Sequence, residues 1–179
     1  LVGSCAPLGA DNRTLSGSTQ AMTSAPKILF INPPVAKPSE PPAGIARLAG
    51  SLGDHGIACG VLDLSLPCLL AQFEHEIEAN DRWSKRAGRD RQKNVTQLRL
   101  PGLYRSFDRY QRAVRDLGRV LDLAGRKNGC KITLANYDYS ARTPLRSSDL
   151  LASAEEFETN HFHSCFKPLL EEALAAHQV

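Results

Sequence analysis

The sequence predicts an α/β fold that begins with parallel strands and continues as a mostly helical segment. Two short apolar runs, residues 27–31 and 57–64, have the continuous hydrophobicity of strands in a parallel sheet, so both are predicted to be fully buried strands. Between these runs, apolar residues recur at the spacing of a helix. Only helical patterns and one short extended piece follow residue 65. A parallel sheet normally has four or more strands, so the predicted sheet is incomplete.

Composition excludes several classes of protein. The chain has 179 residues, of which 42% are hydrophobic, and a formal net charge of +3. It contains no apolar run of about eighteen residues, so no membrane-spanning helix is expected. The positive excess is too small to indicate a nucleic-acid-binding protein. The five cysteines have neither zinc-ribbon nor redox spacing, which favours free thiols in a cytoplasmic protein.

The start of the chain differs in composition from the rest. Its single methionine is Met22, and residues 1–21 are rich in Ser, Gly, Thr and Ala. They lack the basic segment and apolar segment of a secretory signal. We therefore expect residues 1–21 to be a disordered leader or the product of upstream translation.

The order of patterns over residues 22–66 predicts a βαβ unit. The first strand stops at Asn32-Pro33-Pro34, because proline cannot donate to a strand ladder. A proline-rich loop then leads to a helix that begins at Ala43 and ends near Gly56. The second strand follows, and it carries a carboxylate, Asp63, near its end. Such units join parallel strands.

Residues 67–179 are predicted to be a mainly helical insertion that stops before the next core strand. Its predicted elements are a helix over 66–79, a basic stretch over 82–99, a helix over about 102–123, an extended piece over 131–135, a helix starting near Asp149 and a last helix over about 166–176. The longest helix has a narrow apolar stripe of Phe107, Tyr110, Val114, Leu117, Leu121 and Ala124.

Ligands of open parallel sheets bind at the carboxyl ends of the strands. The candidate binding residues there are Asn32, Pro33, Pro34, Gly44 and Asp63. A proline-rich loop is stiff before a ligand arrives, and a glycine lets a ligand approach the backbone. A rigid connection without a ligand remains the alternative for this loop. Asp63 binds a ribose or an amide donor, or it caps the next turn.

Several known site motifs are absent or incomplete. The chain has no Gly-x-Gly-x-x-Gly after the first strand, no P-loop and no Gly-x-Ser-x-Gly elbow. His161, His163 and Cys165 alternate as metal ligands could, but no partner cluster completes a set of four. The basic stretch 82–99 could hold phosphates, although a solvated helix or loop is the favoured interpretation.

The first half of the chain resembles the start of the cobalamin-binding domain of cobalamin-dependent radical SAM enzymes. The resemblance covers about 40 of the 179 residues, from residue 27 to residue 64, and it is carried by the segments 27–34, 41–49, 55–57 and 61–64. It implies a partial Rossmann-like, flavodoxin-like, cobalamin-binding fold with a long helical insertion. Residues 104–110 and 140–151 resemble the insertion of one branch of that family.

The resemblance implies that Asn32, Pro33, Pro34, Gly44 and Asp63 hold the amides and phosphate of cobalamin. Asp54-His55-Gly56 is contiguous and departs from the mutase signature Asp-x-His-x2-Gly, so no cobalt ligand is assigned. The family's iron–sulfur cluster and S-adenosylmethionine bind a separate radical SAM domain through Cys-x3-Cys-x2-Cys, which this chain lacks. We therefore expect no catalytic residue and no radical chemistry from this chain alone.

Two other functions compete with this one. The acceptor half of a glycosyltransferase also opens with a strand, a Pro- or Gly-rich loop, a helix and a His-Gly-strand segment. A non-enzymatic interaction module would dock a partner on the basic stretch and the striped helix. The preferred hypothesis is a cytoplasmic, cobalamin-binding part of an enzyme for radical methyl transfer or related chemistry. Its expected partner is its own radical SAM domain, without nucleic acid or membrane.

Overall fold

The computed structural model describes residues 28–34 and 42–177. The predicted leader, Met22 and loop residues 35–41 lie outside them. The strands are β1 (Ile28–Asn32), β2 (Cys59–Asp63), β3 (Cys130–Ile132) and β4 (Tyr137–Tyr139). The helices are α1 (Ala43–Asp54), α2 (Ser65–Ala71), α3 (Arg82–Leu98), α4 (Phe107–Arg126), α5 (Ser147–Glu155) and α6 (His163–His177). This part of the chain is mixed α/β and mostly helical, and none of its helices is long and apolar enough to cross a membrane.

The first three elements form a parallel pair of strands with a connecting helix. Asn32 at the end of β1 lies opposite Asp63 at the end of β2, and α1 packs on both strands. The prediction that both strands are fully buried is wrong, because Ile31 is 41% exposed and Val61 is 48% exposed. Within the described residues these strands pair only with each other, and such a narrow sheet buries little. The Rossmann-like fold stays a prediction.

The hydrophobic core lies in the helical half of the chain. Its buried members come from α2 and the turn after it, from α3, α4 and β3, and from the turn before α6: Cys68, Leu69, Phe73, Ala87, Leu117, Val120, Leu121, Cys130, Ile132 and Phe162. By contrast, α1 has no buried residue. Burial of apolar surface is the main favourable term in folding, so the helical half provides most of the stability.

Helix α3 begins with a side-chain cap. The carboxylate of Asp81 accepts hydrogen bonds from the Ser84 backbone N–H at 2.8 Å and from the Ser84 hydroxyl at 2.6 Å. These bonds, together with the nearby Arg119, lower the pKa of Asp81 to about 2. The cap explains why so basic a stretch forms a regular helix from residue 82.

Polar contacts fix how α3 and α4 pack. Asp116 of α4 is only 2% exposed, and it accepts hydrogen bonds from Trp83 Nε1 at 2.8 Å and from Arg86 at 2.9 Å. Further along α4, Arg119 donates to the hydroxyl of Ser84 at 2.9 Å. The start of α3 therefore meets the second half of α4, and the two helices form an antiparallel hairpin.

The buried face of α4 differs from the predicted stripe. The structure buries Ala113, Asp116, Leu117, Val120, Leu121 and Gly125. Only Leu117 and Leu121 belong to both sets, and Phe107 is 70% exposed. A prediction from hydrophobicity alone puts the buried face of α4 in the wrong place. Asp116 is polar but is buried, because Trp83 and Arg86 of α3 donate hydrogen bonds to it.

Helix α2 is shorter than the predicted helix over 66–79, since it ends at Ala71. The side chain of Ile77 fills the space beside Gly88 of α3, where an added Cβ would meet it at 3.0 Å. Ile77 lies outside the helix, and its side chain packs beside Gly88.

The predicted extended piece over 131–135 is one strand of an antiparallel hairpin, β3–β4. The turn is closed by Thr133, whose hydroxyl accepts the backbone N–H of Asn136 at 2.8 Å. Strand β4 was not predicted, because three residues are too few to show a period. Helix α6 begins at His163, three residues before the predicted start.

Two glycines of α4 give a matched test of this packing. A Cβ at Gly125 would lie 2.6 Å from the carbonyl oxygen of Cys130, whereas one at Gly118 would meet nothing within 4 Å. We expect Gly125→Ala to lower the free energy of unfolding by about 1–3 kcal/mol. Gly118→Ala should raise it by about 0.5–1 kcal/mol, because alanine costs less backbone entropy in a helix. Urea denaturation measures both, and equal effects would contradict the packing of β3 on α4.

Candidate functional site

The ends of β1 and β2 bring two of the predicted residues into direct contact. The side-chain amide of Asn32 donates to Oδ1 of Asp63 at 2.8 Å. The same oxygen accepts the backbone N–H of Ser65, at the start of α2, at 3.0 Å. Asn32 is 8% exposed, so this bond lies at the edge of the protein interior. Asp63 therefore makes the local turn contact that sequence analysis left as one alternative.

Unused polar atoms remain at this edge. Oδ2 of Asp63 makes no hydrogen bond with any residue that the structure describes, and the side chain is exposed. The hydroxyl of Ser65 is buried, again without a hydrogen-bond partner in the described residues. Buried polar groups are nearly always paired, so Ser65 indicates a place for a further polar group. Ser65 was not among the residues predicted from the sequence.

A small apolar cavity of about 320 Å³ lies beside the strand ends. It is lined by Ile31, Pro33, Pro34, Leu64, Tyr137, Asn160, Phe162, Phe166 and Leu170. The strand ends contribute one wall, while β4, α6 and the turn before α6 contribute the other. The second wall could not be predicted from the sequence, because its residues lie about a hundred positions from the strands and carry no local signal.

The phenol of Tyr137, in the second wall, is held in its neutral form. Burial raises the pKa of Tyr137, and a hydrogen bond with Cys130 adds to the shift. The Sγ of Cys130 lies 3.3 Å from the phenol oxygen. The ring of Tyr137 packs edge-on against Phe162, with centroids 5.4 Å apart. Tyr137 therefore presents an uncharged, apolar surface to the cavity.

Cys68 of α2 is the buried thiol nearest in sequence to the strand end. Burial raises its pKa, and a hydrogen bond with Cys165 and the charge of Asp63 shift it in the same direction. The thiol is therefore protonated at neutral pH, and it is not a thiolate nucleophile.

Gly44 lies apart from the cavity lining. It is the second residue of α1 and is exposed, and an added Cβ would meet nothing within 4 Å. The structure thus brings Asn32, Pro33, Pro34 and Asp63 together and leaves Gly44 in the first turn of α1.

The described residues fit part of a cobalamin. A corrin ring has methyl groups and amide side chains at its rim. The cavity offers apolar walls for the methyl groups. Asp63 is next to the lining residue Leu64 in the chain, and its Oδ2 is an acceptor for an amide N–H. A cavity of about 320 Å³ is at the low end for small-molecule sites. It would hold one edge of so large a group and leave the rest outside.

His161 links the helical segments behind this site. Its Nε2 lies 2.7 Å from Oε1 of Gln72, and its Nδ1 lies 2.8 Å from the amide nitrogen of Asn128. Since the Gln72 oxygen only accepts, Nε2 carries the proton and Nδ1 accepts from Asn128. Both ring nitrogens are therefore used within the protein and neither is free for a metal. No cluster of three His, Cys, Asp or Glu side chains suited to a metal occurs in the described residues.

Comparisons of the chain with protein-family models, with curated proteins and with solved structures gave no match.

The hydrogen bonds of His161 with Gln72 and Asn128 make the stability of the fold depend on pH. Burial lowers the pKa of His161, and the charge of His75 lowers it further. A histidine with a depressed pKa in the folded state stabilises the fold above its unfolded pKa of about 6.5, and this contribution is lost as the pH falls below it. We expect the free energy of unfolding to fall between pH 7.5 and pH 5, and to fall less in His161→Gln. Urea denaturation at each pH measures this, and equal pH dependence of both proteins would contradict it.

Proposed function

We propose that this chain binds cobalamin at the carboxyl ends of β1 and β2, as the N-terminal part of an enzyme similar to the cobalamin-dependent radical SAM enzymes. One observation carries the proposal: Asn32 and Asp63 are hydrogen-bonded across a parallel strand pair beside an apolar cavity. This is the edge at which parallel sheets bind ligands, and its residues carry the resemblance.

Each residue at this edge has a role in the proposal. Asn32 holds Oδ1 of Asp63 and so orients the carboxylate. Oδ2 of Asp63 then accepts a hydrogen bond from an amide at the rim of the corrin. Pro33 and Pro34 form a stiff apolar wall that loses little entropy on binding. Gly44 has no side chain to cover the first turn of α1, so the backbone N–H groups of that turn are accessible to the phosphate of the nucleotide tail.

The bound cofactor would supply the methyl group or the cobalt redox chemistry of the whole enzyme. The radical step would belong to a radical SAM domain with an iron–sulfur cluster and S-adenosylmethionine. This chain's own residues bind and orient the corrin and shield one of its edges from water.

The direct test is binding of hydroxocobalamin to the 179-residue chain. The protein is mixed with the cofactor and desalted, and its visible spectrum is recorded. We expect corrin absorbance to remain with the protein. Loss of all corrin absorbance would contradict the proposal. Binding of a uridine-diphosphate sugar in its place, measured by calorimetry, would favour the glycosyltransferase alternative.

A matched pair of variants places the binding at the strand ends. Asp63→Asn keeps the contact with Asn32 but replaces the free acceptor by an N–H donor, and Asp54→Asn removes the same charge from the exposed end of α1. Loss of a hydrogen bond to a charged group costs about 1.5–3 kcal/mol, so the dissociation constant should rise about tenfold or more only in Asp63→Asn. Equal affinity of the two variants would place the cofactor elsewhere.

A further inference from the structure

The small net charge of the whole chain conceals a strong separation of charge. Residues 81–127, which include α3 and α4, contain fourteen Lys and Arg against five Asp and Glu. The rest of the chain contains eight basic and fourteen acidic residues. The segment is therefore +9 and the remainder is −6. Positive charge clustered on one helix pair is the electrostatic signature of a polyanion-binding surface.

The helix pair also forms a groove of about 830 Å³, named here the α3–α4 groove. Its lining residues are Trp83, Arg86, Asp108, Gln111, Arg112, Arg115, Asp116, Gly118, Arg119 and Asp122. Along α4 it extends from residue 108 to residue 122, which is about 21 Å at the rise of an α-helix. That length accommodates several nucleotides of an extended strand.

Two of the groove arginines are not used by the fold. Arg112 and Arg115 are exposed, and neither makes an ion pair or a side-chain hydrogen bond within the described residues. By contrast, Arg86 is paired with Asp116 at 2.9 Å, and Arg119 is paired with Asp122 at 2.9 Å. These pairs neutralise two of the three acids of the groove. The free guanidinium groups are suited to bidentate contacts with phosphate.

Exposed aromatic side chains occur in the same segment of the chain, one of them in the groove itself. Trp83 is in the groove and is 44% exposed, with the guanidinium carbon of Arg119 5.3 Å from the centre of its ring. Tyr104 and Phe107, near the other end of α4, are 60% and 70% exposed. Exposed aromatic rings between arginines are what unpaired bases stack on. The bases of a duplex are already stacked on one another, and the residues of an acidic peptide lack a regularly repeated ring. Neither ligand would therefore stack on these aromatic side chains.

We infer that the α3–α4 groove binds single-stranded nucleic acid, with Arg112 and Arg115 on the phosphates and Trp83 against a base. The sequence-wide charge predicted no nucleic-acid partner. The structure gives a different expectation because it gathers the excess cations and the aromatic side chains on one pair of helices.

Trp83 is the only tryptophan of the chain, so tryptophan fluorescence reports directly on the groove. We expect a fluorescein-labelled oligouridylate of about 15 nucleotides to raise the anisotropy of the label and to quench the emission of Trp83 over the same concentration range. Binding without any change in Trp83 emission would contradict the assignment to this groove. Equal or tighter binding of a duplex of the same length would overturn the single-stranded preference, and so would equal or tighter binding of a poly-aspartate peptide.

Two charge-matched double variants complete the test. R112Q/R115Q removes the free groove cations, and R47Q/R146Q removes two exposed arginines outside residues 81–127. Between about 50 and 200 mM salt, the slope of log affinity against log salt should fall in magnitude by about 1.4 in R112Q/R115Q, for two lost phosphate contacts. The dissociation constant at low salt should rise about tenfold in that variant and stay near wild type in R47Q/R146Q. Equal effects of the two variants would overturn the proposal.

Discussion

The packing of α3 against α4 is the constraint on which the rest of the structure depends. Its centre is a buried carboxylate, Asp116, which would be costly without its bonds to Trp83 and Arg86. Because these bonds fix the register of the hairpin, Leu117, Val120 and Leu121 all face the core. The strand pair β3–β4 and helix α2 then pack on a surface that is already determined.

The candidate site depends on this core although it lies at the ends of other strands. The β1–β2 pair buries little by itself, and the far wall of its cavity consists of Tyr137, Phe162 and residues of α6. The bond from His161 to Gln72 holds the start of α6 against the residues that follow α2. The helical half therefore shapes the cavity to which the strand ends contribute Asn32 and Asp63.

The sequence predicted local features well and long-range ones poorly. The βαβ order, the start of α1 and the contact region of Asn32 and Asp63 follow from short patterns, since proline and a carboxylate mark where each strand ends. The buried face of α4 could not be predicted, because Asp116 is buried only by virtue of donors from another helix. The second wall of the cavity and the basic groove depend on contacts between distant residues, which a net charge or a local period cannot represent.

Hydrogen–deuterium exchange with and without hydroxocobalamin would locate the bound cofactor on the chain. We expect added cofactor to slow exchange in residues 32–34 and 63–65 and in the start of α6, and to leave α4 between residues 107 and 120 unchanged. Slower exchange confined to α3 and α4, or none at the strand ends, would contradict this expectation.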